Sequence, residues 1–282
     1  LFLFFLLDII NKFMVGLSDK IPDENERYRV IVEECLYFSD INATNIFICK
    51  LLIDPDNEYE LNYNVGNTLE LDITKSTEHW KGIVNFDAVI GNPPYNSSCG
   101  NKGRGNTLWD KFVVKSINNW LKPNGYLLFV HPRGWRQYEN KIGKLMLSKQ
   151  ILYLNMNNVK MGKKTFKCST DFDYYLLKNI KPYTTTLIND YNNNEYKYNI
   201  SKMKYIPNHS IDLVDKHIDV SNINGLIRDR SLYGTEKKWM AKTKTEEYKY
   251  PCVYTINKAN EITLWYSNIN EKGHFGKTKY IV

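Results

Sequence analysis

An α/β fold with a mostly parallel sheet is predicted by three features of this 282-residue chain. Phe86-Asp87-Ala88-Val89-Ile90 is an apolar run rich in strand formers and reads as a buried parallel strand. Leu36-Tyr37-Phe38-Ser39-Asp40-Ile41 is a second such run, with an acid at its end. Helical patterns, Leu108 to Leu121 being the clearest, alternate with further strand-like runs, as βαβ units require.

The first of these runs ends in Asn92-Pro93-Pro94-Tyr95. Two prolines remove two amide donors and fix two φ angles. Asn92 precedes a proline and is pushed toward an extended conformation. The result is a stiff corner at the carboxyl end of a strand, where open α/β sheets place their ligands. The Asn92 side-chain oxygen and the Pro93 carbonyl are two acceptors with no competing donor beside them. They suit a planar amino group, and drawing on its protons leaves the nitrogen lone pair available for attack. Tyr95 adds a flat face on which a heterocycle can stack. Asn-Pro-Pro also occurs in ordinary turns.

The corner, with the strand before it, resembles the motif of S-adenosylmethionine-dependent amino methyltransferases, and its tyrosine form resembles those acting on adenine in DNA. Leu36 to Ile41 looks like the family's second strand, ending in the acid that holds the cofactor ribose. Val65-Gly66-Asn67-Thr68-Leu69 looks like its next cofactor loop. The resemblance is to type II restriction–modification adenine methyltransferases whose target-recognition region follows the catalytic domain. It implies a Rossmann-like methyltransferase sheet, mostly parallel with a reversed last strand, over residues 1–180, and a smaller target-recognition region over 181–282.

By the same resemblance Asn92, Pro93, Pro94 and Tyr95 are catalytic. Asp40, Ile41, Asn67, Thr68, Leu108 and Phe112 bind S-adenosylmethionine, and Tyr95 and Phe166 stack on the target base. Asn67 stands where the family has an aspartate; its amide oxygen is also an acceptor. The family's glycine-rich cofactor loop, expected just before the first helix, has no counterpart here. Substrates on RNA or protein are known for the same tetrapeptide, and a DNA-binding part of a larger restriction enzyme is a further alternative.

Composition bounds these readings. Hydrophobic residues make up 43% of the chain, as in a globular protein with a sizeable core. The apolar start, Leu1 to Leu7, is interrupted by Asp8 and is too short to span a membrane. No basic segment precedes it, which argues against a signal peptide. Leu1 and the strand-like end at Ile281-Val282 suggest a fragment. Five cysteines, Cys35, Cys49, Cys99, Cys168 and Cys252, show no paired metal spacing and fit reduced intracellular thiols. No metal site is expected.

The net charge of +7 is unevenly placed. Residues 1–100 carry a balance of −9, residues 101–170 one of +12, and the remainder +4. Basic charge begins just after the corner, where a phosphate backbone would run. Lys102, Arg104, Arg133, Arg136, Lys163 and Lys164 are the expected contacts to double-stranded DNA. A solvated lysine-rich surface is the alternative. A restriction endonuclease is a further expected partner.

In chain order, Leu1 to Leu17 reads as a buried helix, and Asp23 can cap a second over Glu24 to Leu36. Asp40 holds a ribose or caps the helix Ala43 to Leu52, a task Asn42 can also do. Glu60 to Val65 alternates as a strand. Asn96 to Asn106, with three glycines, reads as a loop over the corner. Thr107 can cap the helix that follows. Lys122-Pro123-Asn124-Gly125 is a turn before the strand Tyr126 to Val130. His131, at the end of that strand, reads as structural. Ile151 to Asn155 and Phe172 to Leu177 make an antiparallel pair, and Tyr183 to Asn199 reads as a linker with short strands. Tyr248 to Tyr254 and Ile262 to Ser267 look like strands, and Lys272 to Tyr280 is basic, aromatic and glycine-containing.

Overall fold

The computed structural model describes residues 2–96, 107–137, 140–203, 205–212, 238–256 and 261–270. The chain divides into two compact units, Leu1–Ile218 and Asp219–Val282. The expected boundary at residue 180 therefore falls inside the first unit, because the sheet does not stop there.

The first unit opens with α1 (Phe2–Gly16) and α2 (Glu24–Val30), the latter running into a π-helical turn at Ile31–Cys35. Asp23 caps α2 as expected, its carboxylate accepting from Glu26 N at 2.7 Å. Strand β1 (Tyr37–Asp40), helix α3 (Ala43–Ile53) and strand β2 (Asn62–Val65) follow, and the two strands pair in parallel, Asp40 opposite Val65. Leu6, Ile10, Ile31, Val32, Phe38, Ile46 and Cys49 form the core under this pair.

The larger sheet has six strands in the order β3 (Phe86–Gly91), β4 (Leu121–Pro132), β6 (Phe172–Lys178), β5 (Gln150–Asn157), β7 (Thr186–Asn189), β8 (Glu195–Tyr198). β3 runs parallel to β4, β4 and β5 are each antiparallel to β6, and β7 is parallel to β5. β3, β4, β5 and β7 thus point one way, while β6 and β8 are reversed. The reversed strand between β4 and β5 is the expected pair Ile151–Asn155 with Phe172–Leu177, in register Ile151 opposite Leu177. The core of this sheet gathers Val113, Ile117, Leu127, Phe129, Trp135, Met146, Leu154, Tyr175 and Ile188.

One expectation about burial and one about capping are corrected. The run 86–90 is an edge strand with Asp87, Ala88 and Ile90 exposed, because β4 is its one partner among the described strands. The stretch Tyr183 to Asn199, read as a linker with short strands, has its two short strands, β7 and β8, paired into the sheet. Helix α4 (Trp109–Lys115), continued by a π-helical turn to Trp120, has Leu108 at its N-cap with no side-chain hydrogen bond, so Thr107 does not cap it. The expected turn at Lys122–Gly125 is a bulge at the start of β4, with Asn124 in the left-handed region at φ 68°. Helices α5 (Lys141–Leu147) and α6 (Val159–Phe166) flank β5. The second unit holds an antiparallel sheet ordered β10 (Tyr250–Ile256), β11 (Ile262–Ser267), β9 (Met240–Ala241), matching two expected strands. Lys272 to Tyr280 lies outside the described residues.

Candidate active site

The strand directions bring the carboxyl ends of β3, β4 and β5 to one rim. Asn92–Tyr95 follows β3 there, Arg133–Trp135 follows β4, and α6 follows β5. β6 begins at this rim, with Phe172 opposite both Pro132 and Asn157. Residues expected at the base-binding end, up to 74 positions apart from Asn92 to Phe166, thus follow strands whose carboxyl ends share one rim.

At the corner, Asn92 and Pro94 are exposed and Pro93 is buried. Gly91 lies close to β4, and a Cβ there would stand 3.3 Å from the Phe129 ring. The corner is anchored where Tyr95 O accepts from Leu108 N at 3.1 Å, and an isolated bridge joins Asn96 to Thr107. Tyr95 is half-buried; its hydroxyl is buried and makes no hydrogen bond to the described residues. Burial, with Cys168 and Asp173 nearby, pushes its pKa up to about 12, so the phenol is neutral at physiological pH. Asn92 leaves its amide at the surface of a rigid turn, free to accept from a planar donor.

Asp40 sits half-buried at the end of β1. Its Oδ1 accepts from Asn42 N at 2.7 Å and its Oδ2 from Asn45 Nδ2 at 3.0 Å. Asn42 rather than Asp40 caps α3, accepting from Thr44 N at 2.9 Å. Each carboxylate oxygen keeps a lone pair, so Asp40 retains the capacity to accept from ribose hydroxyls. Ile41 beside it is 76% exposed. After β2, Asn67 Oδ1 accepts from Leu69 N at 3.1 Å and its amide donates to Glu70 at 2.7 Å, so both its polar ends serve its own turn. Thr68 bonds Ser39 of β1 at 2.8 Å.

Leu108, Phe112 and Lys115 fall on one face of α4 by their spacing. Lys115 donates to the carbonyls of Leu69 and Leu71, which draws the 67–71 turn against that helix. Phe112 is half-buried, edge-on to Trp120, and packs with Tyr37 and Phe86 at the starts of β1 and β3. The turn after β2 and helix α4 are thereby joined through Lys115.

Phe166 closes α6 edge-on to Phe172, ring centroids 4.8 Å apart, beside the left-handed Lys167. It is half-buried at the rim. Lys163 and Lys164 of α6 are exposed there. Arg136 is not available to a phosphate: its side chain is 2% exposed and forks onto Asp173, itself fully buried. Arg133 pairs with Asp171 at 2.5 Å and donates to Asn208 at 2.8 Å, with 42% of its side chain still exposed. Lys102 and Arg104 lie outside the described residues. A cavity of about 300 Å³, lined by Lys50, Tyr59, Tyr63, His79 and Lys81 among others, lies along β2 and away from the corner.

Sequence reasoning did not find the supports behind Tyr95. Trp109 stacks on His131, His131 bonds Tyr175, and Trp135 donates to Asp173. Trp109 carried only a helical core signal, and the contacts join one helix, two strands and the short turn after β4.

Parts of this chain are similar to known proteins. Residues 34–166 match the family described as Eco57I restriction-modification methylase. An uncharacterized adenine-specific methylase of Mycoplasma pneumoniae is 33% identical over 89 residues, covering 30% of this chain and 18% of that protein. Modification methylase CviBIII of Paramecium bursaria Chlorella virus NC1A is 37% identical over 83 residues, covering 26% of this chain and 22% of that protein. The matches thus span about a fifth of the length of these curated relatives. Among solved structures, the M protein of type I restriction enzyme EcoKI superposes with a TM-score of 0.48 at 14% identity, over 66% of this chain and 41% of that chain. The segment 34–166, which is similar to the Eco57I restriction-modification methylase family, carries Asp40, the Asn92–Tyr95 corner and α6.

Proposed function

We propose that this chain is the methyl-transferring part of a restriction–modification enzyme, methylating the N6 amino group of adenine in double-stranded DNA with S-adenosylmethionine as donor. The observation that carries this reading is the exposed Asn92 on a double-proline corner at the carboxyl rim of the sheet, inside the segment that matches the methylase family. Both named relatives are described as methylases, one of them adenine-specific.

Asn92 Oδ1 and the Pro93 carbonyl accept the two amino protons of the base and leave its nitrogen lone pair free. Tyr95, neutral and rigidly held, offers its ring to the base. Asp40 accepts from the donor's ribose, and Thr68, Ile41, Leu108 and Phe112 flank it, with Asn67 held more loosely to the task by its own turn. S-adenosylmethionine supplies an electrophilic methyl group there. A base inside a duplex is out of reach of this rim, so the target nucleotide is flipped out, with Phe166 as its second aromatic neighbour. The rate advantage comes from orientation and exclusion of water rather than from a strong base. Lys163 and Lys164 contact the DNA backbone. The free thiols of Cys35, Cys49, Cys168 and Cys252 fit a place inside the cell, and a restriction endonuclease is the matching partner activity.

Incubation of the chain, in its full-length context, with methyl-labelled donor and duplex DNA, followed by nucleoside analysis, tests this directly. Label in N6-methyladenine, abolished by Asn92→Ala with DNA binding retained, is the expected outcome. Label in methylcytosine, RNA or protein changes the substrate, and activity retained by the alanine variant removes Asn92 from the mechanism.

A further inference from the structure

The start of α4 holds the catalytic corner, yet no side chain caps it. Among the described residues it is tied to the corner by the bond from Leu108 N to Tyr95 O, beside the Asn96–Thr107 bridge. The next residue, Trp109, lies flat on His131, with ring centroids 4.3 Å apart and planes 18° from parallel. His131 is fully buried at the end of β4. Its Nδ1 lies 2.9 Å from Pro132 O, and a carbonyl only accepts, so Nδ1 carries the proton. That leaves Nε2 to accept from the Tyr175 hydroxyl at 3.0 Å. One tautomer satisfies both nitrogens, and the plane of the ring is thereby fixed. Tyr175 is itself buried on β6, edge-on to His131 and tilted against Trp135.

We propose that His131 is a positioning residue for methyl transfer: its locked ring is the plate against which Trp109 sets the first turn of α4, and through Leu108 the height of Tyr95 and Asn92. The corner itself has few other ties. Asn92 and Pro94 are exposed, and Tyr95 makes no side-chain hydrogen bond to the described residues. A corner of this kind keeps its geometry only if the start of α4, to which its backbone is tied, is held in place. The imidazole touches no reacting atom and acts only through Trp109. The inference rests on the proposed reaction for what the corner does, but not for how the corner is held.

Amide hydrogen exchange at Leu108 reads the anchor without any methyl donor. His131→Val combined with Tyr175→Phe removes the ring and leaves no buried hydroxyl unpaired. In this variant of the full chain, exchange at Leu108 is expected to rise at least about tenfold, while Leu127 in the middle of β4 stays within about threefold. His131→Phe with Tyr175→Phe restores a flat ring and should bring Leu108 back to within about threefold of the parent. With donor and duplex DNA, kcat should fall at least about tenfold in the valine variant, KM for the donor should hold within about twofold, and the phenylalanine variant should recover. Where the valine variant does not melt cooperatively, Trp109→Leu removes the stack from the other side, with the same expected rise at Leu108. Parent-like exchange at Leu108 in the ring-less variants overturns the inference. A parent chain that transfers no methyl group overturns the proposed reaction instead, and the exchange measurement still decides the role of His131.

Discussion

Asp173 accepts from Trp135 Nε1 at 2.9 Å and from Arg136 Nε at 2.7 Å, with all three side chains buried. Removing the charge from one partner of such a pair leaves the other uncompensated in a low-dielectric interior. Asp173→Asn is therefore expected to cost about 3–5 kcal/mol of unfolding free energy, measured as a fall in the urea midpoint; a loss below 1 kcal/mol would mean that water reaches the guanidinium. His131 makes a second residue-scale claim. Burial pushes its pKa down to about 4, against an ordinary value near 6.5. The unfolded chain binds the proton first, so the stability of the neutral ring is fully present above about pH 6.5. It falls as the pH drops toward 4, by about 3 kcal/mol in all. Urea titrations of the parent minus those of His131→Phe/Tyr175→Phe should show this slope between pH 6.5 and 4; a flat difference refutes the assignment.

At the scale of the element, α6 is held by a close approach rather than by a large interface. A Cβ on Gly162 would stand 1.8 Å from Thr170 O, so the helix and the strand-entry loop touch backbone to side-chain space. Gly162→Ala should force the 168–171 segment off the helix at a cost of about 1–3 kcal/mol, seen as a lower melting temperature and faster proteolysis near Cys168. Elements whose signals are local were legible in the sequence. The Asp23 cap, the strand Phe172–Lys178 and the corner itself depend on spacing, alternation and proline chemistry, all readable from neighbours. What was not legible depends on pairing across the fold. Nothing local in 86–90 distinguishes a central strand from an edge, and nothing in Thr186–Asn189 announces that β5 takes it as a partner. The capping error at Thr107 has the same origin, since Leu108 turns its amide to Tyr95.

At the scale of the whole molecule, the positive block over 101–170 is only partly a surface feature. Arg136 and Arg133 serve Asp173 and Asp171, Lys115 serves two carbonyls, and Lys122 pairs with Asp87. Lys160, Lys163, Lys164 and Lys167 remain exposed on and just after α6, at the rim that carries the corner. If these meet the phosphates, Lys163→Ala and Lys164→Ala should each reduce the slope of log affinity against log salt by about 0.9, uniformly across DNA sequences. Titrations at several salt concentrations measure this, and an unchanged slope moves the contact elsewhere. Among the described residues no helix is long and apolar enough to cross a membrane.

The inward turn of Arg136 reaches beyond stability. A guanidinium is a planar fork that matches a pair of acceptors, whereas an ammonium is a compact point charge that suits a phosphate. With the fork of Arg136 committed to the interior, the DNA contacts proposed for α6 come from lysines alone. If α6 meets only phosphates, exchanging it for that of a relative should leave the methylated sequence unchanged, and a changed sequence would show that α6 reads bases.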